Sequence, residues 1–315
     1  MKMQEVAAIV WKECLQAKPN ESALVISDPS GERLEIGGIL KEACPCKCEL
    51  VKMKPTGMSG REPSADVSKA MLGYDIVLAP TEFSITHTNA VLELLKKGGR
   101  VATMPGITID MFLRAVPINY TILAATNLKL KKLMKKAKIV RVTTKAGTDI
   151  TMRTENGRKV CNDNGLVSSG KVKNLPSGEV AIAPKEGSAN GVAVFDISSM
   201  DYNSNRPARL SKPFRVVVRD GLLVECEHKR LWKLLSGIDN GTNLAELGIG
   251  TNTNAKPTGL MLEDEKIKGT AHIAFGTNAD LGGNIQTSVH LDSVMDKPTI
   301  ELDGKIIIKD GKFLF

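Results

Sequence analysis

Residues 269–295, GTAHIAFGTNADLGGNIQTSVHLDSVM, hold His272 and His290, two of the chain's four histidines, and Asp292 two positions after the second. In an extended strand the side chains alternate faces, so residues i and i+2 point the same way. The run SVHLD at 288–292 therefore sets Val289 and Leu291 on one side and His290 with Asp292 on the other. An imidazole and a carboxylate on one face offer lone pairs to a common point, the arrangement a divalent metal needs. His272 lies in a second apolar run, AHIAF at 271–275, and the connection through Gly276, Gly282 and Gly283 is short enough to bring the two strands together. A single strand histidine is more often a hydrogen-bonded structural residue. The His-x-Asp pair with a second strand histidine is what favours a metal here.

Two carboxylates elsewhere sit in unusually apolar settings. Glu179 lies in LPSGEVAIAP at 175–184, and Glu246 in LAELGIG at 244–250. An ionised carboxylate in such surroundings is costly unless it is paired with a cation. A salt bridge to Lys or Arg would serve each taken singly. Together with His272, His290 and Asp292 they make three carboxylates and two imidazoles, enough for two metal ions sharing a bridging carboxylate and a water. Such a pair activates water at neutral pH and polarises a carbonyl.

The elements that must position these groups read as two textures. Up to about residue 138, short apolar runs such as ALVIS at 23–27, YDIVLA at 74–79 and RVATM at 100–104 alternate with helical stretches. One amphipathic helix over 3–17 places Val6, Ala7, Val10, Trp11 and Leu15 on one face. This is the pattern of an open, mostly parallel α/β sheet. From about 139, helical periodicity fades. Strands rich in Val, Ile and Thr alternate with turn signals at Asn156-Gly157, Asp220-Gly221, Asp303-Gly304 and Asp310-Gly311, as in antiparallel hairpins. The expected organisation is an α/β domain over 1–138 followed by a β-rich metal-binding domain over 139–315. No G-x-G-x-x-G follows a strand. SITHT at 84–88 follows a strand and opens a helix, where ligands commonly sit in such sheets, and His87 is the functional candidate there. The neighbouring Ser and Thr read as helix caps.

Bulk properties narrow the class. Length suits two domains. Aromatics are only 4% of the 315 residues, leaving no stacking platform for single-stranded nucleic acid. The charge of +8 is partly gathered in KLKKLMKKAK at 129–138, which reads as a solvated helix face rather than a nucleic-acid contact. The N-terminal residues are too charged for a secretory segment, and no apolar run reaches the roughly 18 residues of a membrane span. A cytoplasmic protein with reduced thiols is expected, with no membrane partner. Cys44, Cys46 and Cys48 (CPCKC) lack C-x-x-C spacing and read as three thiols at a helix-to-strand junction.

The segments GEV at 178–180, AELGIGTN at 245–252, GTAHIAFG at 269–276 and HLD at 290–292, in this order, resemble the thermophilic-type metallo-aminopeptidases. SITHTNA at 84–90, GGRVATMPGIT at 98–108 and VTTKAGTDIT at 142–151 extend the resemblance over most of the chain. It implies a homodimer and a dinuclear centre of zinc, cobalt or manganese held by Glu179, Glu246, His272, His290 and Asp292. The expected activity is release of N-terminal residues from small peptides by a metal-activated water, with Glu179 or Glu246 doubling as proton shuttle. One departure stands out: the peptidases carry a tyrosine seven residues after the first metal histidine, and here that position is Ala279. The chain also resembles a sister branch, the 2,5-dihydroxypyridine dioxygenases. That likeness implies one iron(II) on His272, His290 and Asp292, a small hydroxylated ring as substrate, and His87 as acid/base. The dioxygenase reading is the alternative to the hydrolase and needs no tyrosine.

Overall fold

The computed structural model describes residues 1–154, 158–200 and 209–315; the expected turn at Asn156-Gly157 lies outside them. The chain forms two compact units, Met1–Ala124 with Asp163–Ser177, and Ala125–Asn162 with Gly178–Phe315.

The first unit is built on a five-stranded, all-parallel sheet. Its strands run Lys47–Lys52, Ser22–Ser27, Ile76–Ala79, Arg100–Thr103 and Lys171–Asn174 in spatial order. The central strands are near-continuous apolar runs because helices cover them. Leu24, Ile26, Val77, Ala79 and Val101 pack with Val91 and Leu94 of the helix Asn89–Lys96. The amphipathic N-terminal segment is helical over Met3–Ile9 and continues as one π-helical stretch, Val10–Cys14. All five apolar-face residues read from its sequence are buried.

The second unit has two largely antiparallel sheets, one of eight strands and one of six, whose apolar faces share a core. Val140, Val142, Ile150, Phe195 and Val216 come from the larger sheet; Val180, Leu247, Ile249, Ile273 and Leu291 come from the smaller. Apolar residues at alternate positions bury one face of each strand, leaving the other face of the smaller sheet free for different chemistry.

The parallel α/β sheet followed by antiparallel sheets is the expected fold class. The boundary, however, is not the expected cut at 138/139. The strand Lys171–Asn174 hydrogen-bonds to Arg100–Thr103, so a segment from the β-rich half completes the first sheet. Conversely, Leu130 and Met134 of the helix Tyr120–Lys136 are buried in the second unit's core, so its lysine-rich half belongs there. Among the described residues, no helix is long and apolar enough to cross a membrane. None of the six cysteines is in a disulfide, and Cys44 and Cys46 bring their sulfurs to 3.3 Å in the turn between the helix Glu32–Glu42 and the strand Lys47–Lys52.

Candidate metal centre

The smaller sheet of the second unit gathers the acid and imidazole groups through its register. Four adjacent antiparallel strands carry them: Glu179–Ile182, Leu244–Gly250, Thr270–Gly276 and His290–Asp296. Gly250 pairs with Glu179, Gly248 with Ala181 and His272, Glu246 with Ala274, Ala274 with Asp292, and Gly276 with His290. Residues paired across strands share a face, so Glu179, Glu246, His272, His290 and Asp292 all project from the same one. The opposite face carries Val180, Leu247, Ile273 and Leu291 into the core. A bulge between Leu244 and Glu246 inserts one residue and sets the Glu246 side chain onto the site face.

The positions between these groups are small because the space is taken. A Cβ at Gly248 would lie 2.0 Å from Nε2 of His272, so glycine makes the gap in which that imidazole stands. A Cβ at Gly250 would lie 2.0 Å from the carbonyl oxygen of Ile267, whose chain crosses close beneath the sheet.

Distances define two neighbouring groups. Glu246, His290 and Asp292 form one, with Nε2 of His290 2.9 Å from Glu246 Oε2 and 3.7 Å from Asp292 Oδ1. Glu179, Glu265 and His272 form the other, with Nε2 of His272 3.7 Å from Glu179 Oε2. The same Nε2 lies 3.4 Å from Glu246 Oε1, so the two oxygens of Glu246 face the two imidazoles. Nδ1 of His290 donates to the carbonyl of Thr277 at 2.8 Å, which leaves Nε2 as the ring atom turned toward the carboxylates. Nδ1 of His272 has no hydrogen-bond partner among the described residues.

The burial of so many charges perturbs their acidity. Desolvation alone would push both imidazoles down, but the surrounding carboxylates win: Glu246, Asp292 and Glu179 hold His272 up to about 9, and Asp292 with Glu246 hold His290 up to about 10. Burial raises Asp292 above the usual carboxylate range. Burial opposes ionisation of Glu246 too, yet its hydrogen bonds to both imidazoles hold it well below that range. Ligand atoms 2.9–3.7 Å apart match the roughly 3.0–3.5 Å edges of a polyhedron with metal bonds near 2.1 Å. An all-oxygen-and-imidazole set suits zinc, manganese, cobalt or ferrous iron. Distances, donor chemistry and the gap at Gly248 all fit a divalent metal.

Two residues that the sequence did not single out complete the centre. Burial raises Glu265 to about 8, with the Glu179 and Asp292 charges adding to the rise against the pull of Lys266. The ammonium of Lys266 lies 2.6 Å from Glu265 and 2.8 Å from Glu179, with the residue only 1% exposed. LEDEKIKG at 262–269 reads as a charged surface turn, yet Glu263 and Asp264 are fully buried. They are spent on the loop's own backbone: Glu263 accepts from Lys256 N, and Asp264 from Thr258 N and Gly259 N. The available signal was Met261-Leu262 and Ile267 flanking the charges. Asn127, from the helix Tyr120–Lys136, is a further missed residue. It is fully buried, donates to the carbonyl of Glu179 at 3.1 Å and accepts from Thr251 Oγ1 at 2.6 Å, fixing the strand that carries Glu179.

His87 belongs to the other unit. It is exposed in the turn before the helix Asn89–Lys96, where Thr88 is the cap and accepts from Val91 N. Ala279, at the position of the peptidases' tyrosine, begins the short 3-10 turn Ala279–Leu281.

Fold and site together define an enzyme with a buried carboxylate–imidazole centre able to take a divalent metal. The chain belongs to the NicX family, 2,5-dihydroxypyridine 5,6-dioxygenase, whose model matches residues 46–315. It is 24% identical over 260 residues to 2,5-dihydroxypyridine 5,6-dioxygenase from Pseudomonas putida (strain KT2440), spanning 77% of this chain and 72% of that one. The structure of a 2,5-dihydroxypyridine dioxygenase from the same strain superposes with a TM-score of 0.82 at 18% identity, covering 99% of this chain and 96% of the other. AmpT from Thermus thermophilus superposes with a TM-score of 0.73 at 13% identity, covering 99% of both chains. The family match thus favours the dioxygenase alternative over the aminopeptidase reading, and the likeness to AmpT is one of fold.

Proposed function

We propose that the protein is a non-haem iron dioxygenase that opens a small hydroxylated aromatic ring of the dihydroxypyridine type. Membership of the dioxygenase family over residues 46–315 carries this reading. Two further features support it. Two imidazoles and one carboxylate, His272, His290 and Asp292, are the donor types of a ferrous oxygenase centre. Ala279 leaves the chain without the phenol that a peptidase would use on its tetrahedral intermediate. A ferrous ion held by these residues would supply the dioxygen chemistry. The Thr277 carbonyl fixes the ring of His290, Gly248 leaves room for His272, and the bulge before Glu246 keeps a third carboxylate beside both imidazoles. His87 as acid/base rests on the resemblance alone. Its substitution by Ala should cut turnover while the metal is retained.

One observation favours the hydrolase as a second reading: Glu246 faces His272 with one oxygen and His290 with the other, the posture of a carboxylate bridging two ions. The experiment is anaerobic reconstitution with ferrous iron, followed by oxygen uptake with 2,5-dihydroxypyridine and related dihydroxylated rings. Parallel assays use aminoacyl arylamides with zinc, cobalt or manganese. Oxygen consumed in step with ring loss, and no amide cleavage, is expected. Amide hydrolysis without oxygen uptake would overturn the dioxygenase reading.

A further inference from the structure

The second group of donors, Glu179, Glu265 and His272, already contains a cation. Nζ of Lys266 lies 2.8 Å from Glu179 Oε1 and 2.6 Å from Glu265 Oε1, the lengths of charge-assisted hydrogen bonds. The residue is buried, and its backbone is pinned on both sides. Lys266 N donates to the carbonyl of Glu263 at 2.9 Å, and its own carbonyl accepts from Asn252 N at 2.8 Å. Asn252 also pairs in parallel with Ile267, and Lys268 N donates back to the Asn252 carbonyl at 2.9 Å. Asp264, Glu263 and the backbone donors of residues 256–259 lock the turn that presents Glu265 and Lys266 together. No comparable ammonium touches the first group, where Glu246 and Asp292 meet only imidazoles among the described ion pairs.

We propose that the Lys266 ammonium takes the place of a second divalent ion between Glu179 and Glu265, and thereby limits the centre to one metal, held by His272, His290 and Asp292 beside Glu246. The physical ground is twofold. A dication entering the second group would meet a fixed positive charge within a few ångströms, in surroundings that screen poorly. Glu179 and Glu265 also each give one oxygen to the ammonium, so an ion that displaces it must break two short hydrogen bonds. Lys266 is thus a positioning residue: it touches the metal's neighbours and sets how many ions the site accepts. The inference rests on the site being a metal centre, but not on which reaction the centre runs.

The test is a count. Full-length protein is stripped with chelator, titrated with manganese(II) or zinc(II), desalted and measured by plasma mass spectrometry, with calorimetry giving stoichiometry independently. Wild type should saturate at one equivalent. Lys266→Met, which keeps length and loses charge, should take up two, and Lys266→Arg should return to one. Two equivalents in wild type, or one equivalent in a folded Lys266→Met protein, overturns the proposal. Should the variants fail to fold, anomalous scattering from manganese-loaded wild-type crystals decides. A single peak beside Glu246, with the ammonium still between Glu179 and Glu265, upholds it; a peak between Glu179 and Glu265 overturns it. Uptake of no ion at all sinks the metal centre and this inference together. Absent oxygen uptake with one ion bound sinks only the dioxygenase reading.

Discussion

Gly248 has no functional group, yet the centre depends on it. Its missing side chain is the space in which the His272 imidazole stands. Gly248→Ala should therefore displace the ring and lower metal occupancy, with the far-ultraviolet circular dichroism spectrum unchanged. Unaltered metal content would show that His272 can relocate and still bind. Asp292→Ala should weaken metal binding by more than the roughly 10–100-fold typical of losing an outer partner, since it removes a donor from the Glu246 group. Retention of the full metal complement in that variant would remove Asp292 from the site. At this scale the alternation of side chains along a strand was enough to find His290 with Asp292 and to flag Glu179 and Glu246. Glu265 and Lys266 were not legible. Their burial comes from a turn whose backbone is tied down by equally charged neighbours, so a one-dimensional reading assigns all of them to solvent.

Among the elements, the connection between the two histidine strands is held more tightly than its glycines suggest. Glu186 accepts from Asn278 Nδ2 at 2.8 Å and from Asn284 N at 2.9 Å, and pairs with the buried guanidinium of Arg158 at 2.7 Å. Arg158 also donates to the carbonyl of Gly282 at 3.0 Å. The Arg158 bonds, reinforced by those from Asn284 and Asn278 against a burial cost, hold the Glu186 carboxyl down to about 2. An unfolded glutamate titrates near ~4.3. The folded value is the lower one, so Glu186 stabilises the fold fully above pH ~4.3 and loses that contribution as pH falls toward 2. Urea unfolding between pH 5 and 2 should show a slope that Glu186→Gln flattens; an equally steep slope in the variant would place the acid sensitivity elsewhere. Strands and helices were largely readable from apolar period and turn residues. The run YDIVLA at 74–79 holds the strand Ile76–Ala79, and RVATM at 100–104 holds the strand Arg100–Thr103. The short strand Lys171–Asn174, KVKN, went unread because it lies at a sheet edge, is polar at most positions and has no apolar run to announce it.

For the whole molecule, a metal that binds only the folded state should raise stability by mass action. At 100 times its Kd the gain is about 2.7 kcal/mol, visible as a higher melting temperature that chelator reverses and Asp292→Ala abolishes. An equal rise in that variant would mean the ion acts elsewhere. The fold class was legible because a parallel sheet and antiparallel sheets leave different hydrophobic periods in the sequence. Its division into units was not, since the change of texture marks where strand direction changes and carries no sign of which sheet a later strand joins.

That later strand has a consequence for how the protein is made. As the chain leaves the ribosome, four strands of the first sheet emerge by Thr103, but the fifth comes only at Lys171–Asn174. In between, Ile139–Thr143 and Asp149–Arg153, two strands of the other unit, have already appeared. The growing chain thus carries an unfinished sheet, with the edge of Arg100–Thr103 awaiting its neighbour, while the second unit has begun. Neither half can be finished before the other has started, so the usual order of one domain after another gives way to interleaved folding.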